Sequence, residues 1–130
     1  MAKGLDGPAG NVALIGDAAH AMLPHQGLGA CQGIEDAYVL SLLLSSPLTN
    51  ITNLATALEF YDEVRRPLAQ KVADSSRVVG EMLDFTSYEH VGDSDEEWGQ
   101  AMGGLCEWLR DEGGTFAVGE RAMDMLKGKA

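Results

Sequence analysis

Residues 11–38 constrain the fold more than any other part of the chain. They begin with an uninterrupted apolar run, Val12 to Ile15, and Gly16-Asp17 follows directly. An apolar run without alternation is typical of a strand buried on both faces of a parallel sheet. A loop of small residues and proline then leads to Gly27-Leu28-Gly29 and a helical pattern. The order predicts a carboxylate at the carboxyl end of a strand and free amide groups at a following helix N-terminus, which suits a ligand with hydroxyl groups and an anionic end.

The predicted strand at Val12–Ile15 has no convincing partner elsewhere in the sequence. A lone strand cannot satisfy its backbone groups, so this conflict indicates that the sheet it joins comes from other sequence. As an isolated chain the protein is therefore predicted to be mainly α, with one orphan strand followed by long helices.

Helical spacing begins at Gly27 and continues through Ala30, Ile34 and Leu42, and the helix is expected to stop near Ser45-Ser46-Pro47. A second apolar stripe runs from Leu54 to Met82, which predicts about eight helical turns. We expect Thr52 or Asn53 to cap this helix, and Pro67 to kink it or divide it into two abutting helices. Further helices are predicted around Trp98 and from Phe116 to Leu126, with a polar loop from Gly92 to Glu97 between the long helix and these.

Several residue types recur at fixed spacings in this region: Gly16-Asp17-Ala18-Ala19-His20, Pro24, Gly27-x-Gly29 and Glu35-Asp36-Ala37. Together they resemble the second flavin-binding motif of FAD-dependent aromatic hydroxylases, and most nearly the salicylate-hydroxylase-like monooxygenases of fungi. The resemblance continues more weakly through Tyr61, Arg65-Arg66-Pro67 and Ser75-Ser76. The Gly-x-Gly-x-x-Gly turn that holds the ADP half of FAD in such enzymes does not occur in this sequence. The resemblance therefore implies the C-terminal fragment of an α/β, Rossmann-like FAD-binding fold, in which residues 1–48 end the FAD-binding domain and residues 49–130 form a helical region.

The resemblance also implies roles for individual residues. Cofactor contacts are expected from Gly16, Asp17, Pro24, Gly27, Leu28, Gly29 and Ala30. Asp17 would accept hydrogen bonds from the ribityl hydroxyls, and the amides at Gly27 to Gly29 would favour negative charge on the flavin. Pro24 would lie near the flavin and the substrate ring, and His25 beside it is a weaker candidate to face substrate. Two alternatives stay open from the residues alone: Asp17 could cap the Ala18–His20 turn, and the glycines could simply turn the chain.

The function implied by the resemblance is hydroxylation of an aromatic substrate with FAD, NAD(P)H and O₂, by a longer protein of which this chain is a part. Alone, the chain is expected to be inactive, because the dinucleotide-binding half is missing. The alternative is an acidic helical interaction module that retains the flavin motif as a relic.

Charge and composition exclude other classes. The net charge is −11, and residues 81–130 hold twelve acidic against four basic residues. Such a field repels nucleic acid and anionic lipid. No apolar stretch is long enough to span a membrane and no secretory signal is apparent, so a cytoplasmic location is expected. Cys31 and Cys106 form no CxxC pair, and His20 and His25 are poorly spaced as ligands, so no metal site is predicted. One further hypothesis is that Arg65 or Arg66 reaches Glu35 or Asp36.

Overall fold

The computed structural model describes residues 11–84, 86, 94–104 and 114–129. Within these ranges the regular elements are all helical: α1 (Asp17–His20), a 3-10 turn (Pro24–Gln26), α2 (Gly29–Ser45), α3 (Leu54–Leu83), α4 (Asp95–Gly104) and α5 (Thr115–Lys127). The prediction of a mainly helical chain is confirmed, and α2, α3 and α5 lie close to their predicted bounds.

The run Val12–Ile15 has no regular secondary structure, and no described residue forms a strand. Strand geometry requires a partner for the backbone groups, and the described residues supply none. Val12, Leu14 and Ile15 are instead exposed by 56%, 39% and 47%. The segment is tied to α3 because the Tyr61 hydroxyl donates a hydrogen bond of 2.9 Å to the Leu14 carbonyl.

The core forms where α2, α3 and α5 pack on one another. Its buried side chains come from all three helices: Val39 and Leu43 from α2, Phe60, Tyr61 and Val64 from α3, and Val118, Ala122 and Leu126 from α5. Gly119 allows α5 to approach α2 closely, since a Cβ there would lie 2.7 Å from Leu42 Cδ1 and 2.8 Å from Tyr38 Cε1. This packing holds α2, and therefore its N-terminal end, in a fixed position.

The helix α3 continues through Pro67 as one element of 30 residues. Of the two predicted alternatives, a kink or two abutting helices, the second is wrong, and the first stays a prediction. Pro67 removes one backbone hydrogen bond of the helix. It lies on the exposed side, while Val64, Ala69 and Val72 are buried on the other side. The buried residues before and after Pro67 in the chain stabilise the continuous helix.

Two predicted features of the helix ends differ in the structure. Asn53 is the N-cap residue of α3, but its side chain makes no capping hydrogen bond; it accepts from the Asn50 amide and donates to the Leu48 carbonyl, which fixes the preceding turn. The predicted loop at 92–97 is in part helical, because Ser94 and Glu97 form a reciprocal capping box at the start of α4. Trp98 in α4 is half-buried, and Trp108 lies outside the described residues.

Among the described helices, none combines the length and the apolar character that a membrane crossing requires.

Candidate functional site

The turn at Gly16 brings the start of the predicted site against α2. Gly16 has φ 57° and ψ −144°, a conformation that side-chain-bearing residues rarely adopt. Its Cα lies 3.5 Å from the position that a Cβ of Gly33 would occupy, so the two glycines let the turn and the helix approach closely. The Gly16 amide donates a hydrogen bond of 2.9 Å to Asp36 Oδ2 on the next turn of α2. Gly33 therefore has a packing role, because it lets the backbone at Gly16 approach α2.

Asp17 follows this turn as the first residue of α1, and it is exposed. Its carboxylate makes no hydrogen bond to any other described residue. The amides of Ala19 and His20 are bonded by the Gly16 carbonyl, at 2.9 and 3.0 Å, and no side chain caps α1. The arrangement thus gives no support to the capping alternative and leaves an acidic group free to accept hydrogen bonds.

Hydrogen bonds from side chains hold the loop between α1 and α2 against α3. The Ser76 hydroxyl donates a hydrogen bond of 2.6 Å to the Leu23 carbonyl, and Gln26 Nε2 donates one of 2.9 Å to Ser75 Oγ. The His25 ring lies so close to Gly80 that a Cβ at residue 80 would collide with it. Pro24 begins the 3-10 turn, and both Pro24 and His25 are exposed. These contacts place Pro24 and His25 beside α3; their predicted roles near flavin and substrate stay predictions.

The N-terminus of α2 is open. Gly27 turns the chain in the left-handed region, with φ 67° and ψ 17°, and a Cβ there would meet nothing within 4 Å. Leu28 is the N-cap residue and has no side-chain capping hydrogen bond. The first backbone bond of the helix runs from the Gln32 amide to the Leu28 carbonyl. The amides of residues 28–31 therefore have no acceptor within the helix and present its positive end.

Behind this surface lies a buried polar group that we term the Asp36 cluster: Asp36, Arg65, His20, Glu35 and Gln32. Asp36 is 0% exposed. Its Oδ2 receives His20 Nε2 at 2.5 Å, and its Oδ1 receives Arg65 Nε at 2.8 Å. Arg65 also donates to Glu35 Oε2 at 2.8 Å and to the carbonyl and the side-chain oxygen of Gln32 at 3.2 and 2.9 Å. The cluster joins the Gly16 turn, α2 and α3.

The hypothesis of an arginine pair on Glu35 and Asp36 is confirmed for Arg65 and wrong for Arg66. Arg66 pairs with Asp62 one turn earlier on α3, and both of those side chains are partly exposed. Adjacent residues of a helix face different directions, so only one arginine can turn inward. Asp36 also binds Gly16 and His20, which was not predicted. The available signal was the shared motif, in which Gly16, His20 and Asp36 all occur.

The electrostatics of the cluster keep Asp36 ionised. Burial alone would raise the pKa of Asp36, but hydrogen bonds from the Gly16 amide, Arg65 and His20 outweigh it and hold the pKa below the ordinary value of 3.8. Burial, together with the nearby charge of Asp36, raises the pKa of Tyr61 well above its ordinary value of 10.0. A carboxylate that is charged and fully buried can act as a fixed acceptor for the Gly16 turn.

No group of three or more potential metal ligands comes together in the described ranges. An open cleft of about 450 Å³ lies between α3 and α5, with Asn53, Glu59 and Lys129 among its lining residues. None of the predicted cofactor residues lines that cleft. The candidate site is instead the open surface formed by the Gly16-Asp17 turn, the Pro24 loop and the start of α2.

Comparison with known proteins gives this surface a context. A family model described as an FAD binding domain matches residues 7–76, which is more than half of the chain. Salicylate hydroxylase of Pseudomonas putida is 47% identical over 100 residues, a match that covers 77% of this chain and 23% of that enzyme. The 6-methylsalicylate 1-monooxygenase atA of Aspergillus terreus is 42% identical over 101 residues, covering 78% of this chain and 22% of that enzyme.

The structure also resembles a solved one. It superimposes on a salicylate hydroxylase substrate complex with a TM-score of 0.70 at 40% identity, covering 85% of this chain and 26% of the other. The chain thus spans about a quarter of the length of the relatives it matches. It shares the fold of the corresponding part of an aromatic hydroxylase, which confirms the predicted fold class.

The matched residues 7–76 include every predicted cofactor contact, from Gly16 to Ala30, and the whole Asp36 cluster. The residues present also fit the cofactor that the resemblance implied: a carboxylate with no hydrogen bond to another described residue, two glycines with positive φ and an open helix N-terminus lie on one loop-and-helix unit. The chain belongs to the FAD binding domain family, and its cofactor is FAD.

Proposed function

We propose that this chain is the C-terminal part of a FAD-dependent monooxygenase that hydroxylates an aromatic substrate with NAD(P)H and O₂. In this proposal, residues 1–48 complete the FAD-binding domain and residues 49–130 form a helical region that supports it. The relatives named above, at 42 and 47% identity, are a 6-methylsalicylate 1-monooxygenase and a salicylate hydroxylase. The single observation that carries the proposal is that the exposed Asp17 carboxylate, which has no hydrogen bond to another described residue, lies on the same loop-and-helix unit as the open N-terminus of α2.

Bound FAD supplies the redox chemistry that transfers one oxygen atom of O₂ to the ring. Asp17 binds the cofactor by accepting hydrogen bonds from ribityl hydroxyls. The amides of Leu28, Gly29 and Ala30 form the positive end of the α2 dipole, equivalent to roughly half an elementary charge, and stabilise negative charge on the flavin ring. Gly16 and Gly27 keep side chains away from the cofactor.

Pro24 and His25 lie on the loop between these two contacts. We assign Pro24 to the edge of the flavin, where it shapes the space for the substrate ring, and His25 to the substrate side of the loop. The exposure of both residues leaves them accessible to a ligand. The relatives act on salicylate and 6-methylsalicylate, so a hydroxybenzoate is the substrate class to test first.

The test uses a chimera in which this chain replaces the segment that it matches in Pseudomonas putida salicylate hydroxylase. The expected result is a yellow protein with one FAD per chain and salicylate-dependent oxidation of NADH or NADPH, with hydroxylated product seen by mass spectrometry. The parent enzyme is the positive control, and the 130-residue chain alone is the comparison. A folded chimera without FAD contradicts the proposal. A chain that folds cooperatively by itself and neither binds FAD nor complements the remainder of the enzyme favours the interaction module instead.

A further inference from the structure

The Asp36 cluster holds both ends of the short helix that carries Asp17. Gly16 precedes Asp17 and His20 ends α1. The Gly16 amide and His20 Nε2 reach the same oxygen, Asp36 Oδ2, at 2.9 and 2.5 Å. One carboxylate oxygen therefore fixes the residues on either side of Asp17.

Asp36 is itself fixed by Arg65 of α3. Its other oxygen accepts from Arg65 Nε at 2.8 Å, and the remaining guanidinium nitrogens bind Glu35 and Gln32. Arg65 is 2% exposed and Asp36 is 0% exposed. A buried acceptor fixed by a second helix cannot follow the turn if the turn moves, so it acts as an anchor.

Asp17 differs from this anchor in both exposure and partners. It is exposed and has no hydrogen bond to another described residue, so its own contacts do not define its direction. The orientation of Asp17 is set by the backbone at Gly16, whose positive φ is stabilised by the bond to Asp36. An acceptor for ribityl hydroxyls needs such preorganisation, because a free turn would lose conformational freedom on binding.

We propose that Asp36 is a positioning residue for the flavin: through its bonds to Gly16 and His20 it holds the turn that aims the Asp17 carboxylate at the cofactor. The inference rests on the proposed function, in which Asp17 binds FAD. Asp36 does not touch the cofactor; it raises the affinity through Asp17, and Arg65 supports it.

The test is a double-mutant cycle in the flavin-loaded chimera described above, with Asp17→Ala, Asp36→Asn and the pair. The FAD dissociation constant is measured by flavin fluorescence quenching, and the visible circular dichroism of the bound flavin reports its environment. An Asn at residue 36 cannot accept from Gly16 and His20 while also accepting from Arg65. Asp36→Asn is therefore expected to raise the dissociation constant about tenfold and to change the flavin dichroism.

In the Asp17→Ala background, the same Asp36→Asn change is expected to raise the constant by less than about threefold, because the group it positions is gone. Val118→Ala, a change in the buried core on α5, is the matched control: it lowers the melting temperature and leaves the dissociation constant unchanged. If Asp36→Asn does not fold, Asp36→Glu replaces it in the cycle, since it keeps the charge and displaces the oxygen by one methylene.

Equal effects of Asp36→Asn with and without Asp17, or no effect in either background, overturn the inference while leaving the flavin site intact. An Asp17→Ala variant with unchanged affinity overturns the proposed function of Asp17 and the inference with it. The two failures are therefore distinguishable within one experiment.

Discussion

Replacing Arg65 with methionine tests the energetic role of the Asp36 cluster. Arg65 donates four hydrogen bonds, to Asp36, Glu35 and two oxygens of Gln32. Methionine fills much of the space but leaves a fully buried carboxylate without its cation. Breaking a buried ion pair on one side typically costs about 3 to 5 kcal/mol. For a domain of this size that corresponds to a fall in melting temperature of about 10 to 20 °C.

The assay is urea and thermal unfolding of the 130-residue chain, followed by far-ultraviolet circular dichroism. Arg66→Met is the matched control, since it changes the adjacent residue of the same helix. Arg66 pairs with Asp62, and these side chains are 41% and 43% exposed; a pair of this kind contributes less than about 1 kcal/mol. Equal loss of stability in the two variants would refute the assignment of Arg65 as the buried anchor.

Three further outcomes follow from the same structure. Because the pKa of Asp36 is lowered on folding, its charge stabilises the protein above about pH 3.8, and this contribution is lost as the pH falls below that value. The difference in unfolding free energy between wild type and Asp36→Asn should therefore shrink below this pH. A difference that stays constant with pH would contradict this. The pKa of Tyr61 is raised on folding, so the stability that its neutral hydroxyl contributes is present below pH 10.0 and is lost as the pH rises above that value. Tyr61→Phe should lower the unfolding free energy by about 1 kcal/mol at neutral pH, because the bond to Leu14 is lost. In base the Tyr61→Phe variant should unfold less readily than wild type. Gly80→Ala should displace the His25 ring and change the Pro24 loop. In a His25→Ala background, the same change should stabilise α3 by about 1 kcal/mol. An identical effect on stability in both backgrounds would show that the His25 ring does not pack against Gly80.

The sequence predicted the long helices well because their apolar residues repeat at the helical period. Leu54 to Met82 was recognised as one stripe, although Pro67 suggested a break. Local propensity overestimated the effect of Pro67 because it ignores the packing on both sides. The same limit applies to Asn53, whose side chain donates a hydrogen bond to the preceding turn instead of capping α3.

The strand prediction at Val12–Ile15 shows a different limit. The apolar pattern identifies a segment suited to burial, but a strand forms only where another strand pairs with it. In this chain Val12, Leu14 and Ile15 are exposed, while Ala13 packs against the core and the Leu14 carbonyl accepts a hydrogen bond from Tyr61. The chain spans about a quarter of its relatives, and the pattern of residues 12–15 is that of a piece of a larger sheet.

The sequence proposed the candidate site as a set of residues but not as a structure. Gly16, Asp17 and Gly27 to Gly29 were identified by their spacing and by family resemblance. The anchor behind them was predicted only in part: the pairing of Arg65 with Glu35 or Asp36 was expected, but the contacts of Asp36 with Gly16 and His20, which lie 20 and 16 positions away in the chain, were not. Periodicity assigns Asp36 to a helix face; it does not tell which residues that face meets.

The most direct test of the account is a crystal structure of the chimera with FAD bound. The account predicts that the Asp17 carboxylate lies about 2.6 to 3.2 Å from ribityl hydroxyls of the cofactor, that the first turn of α2 meets the flavin ring, and that Asp36 still binds Gly16 and His20. A structure in which FAD lies away from the Gly16-Asp17 turn, with the Asp17 carboxylate in solvent, would contradict it.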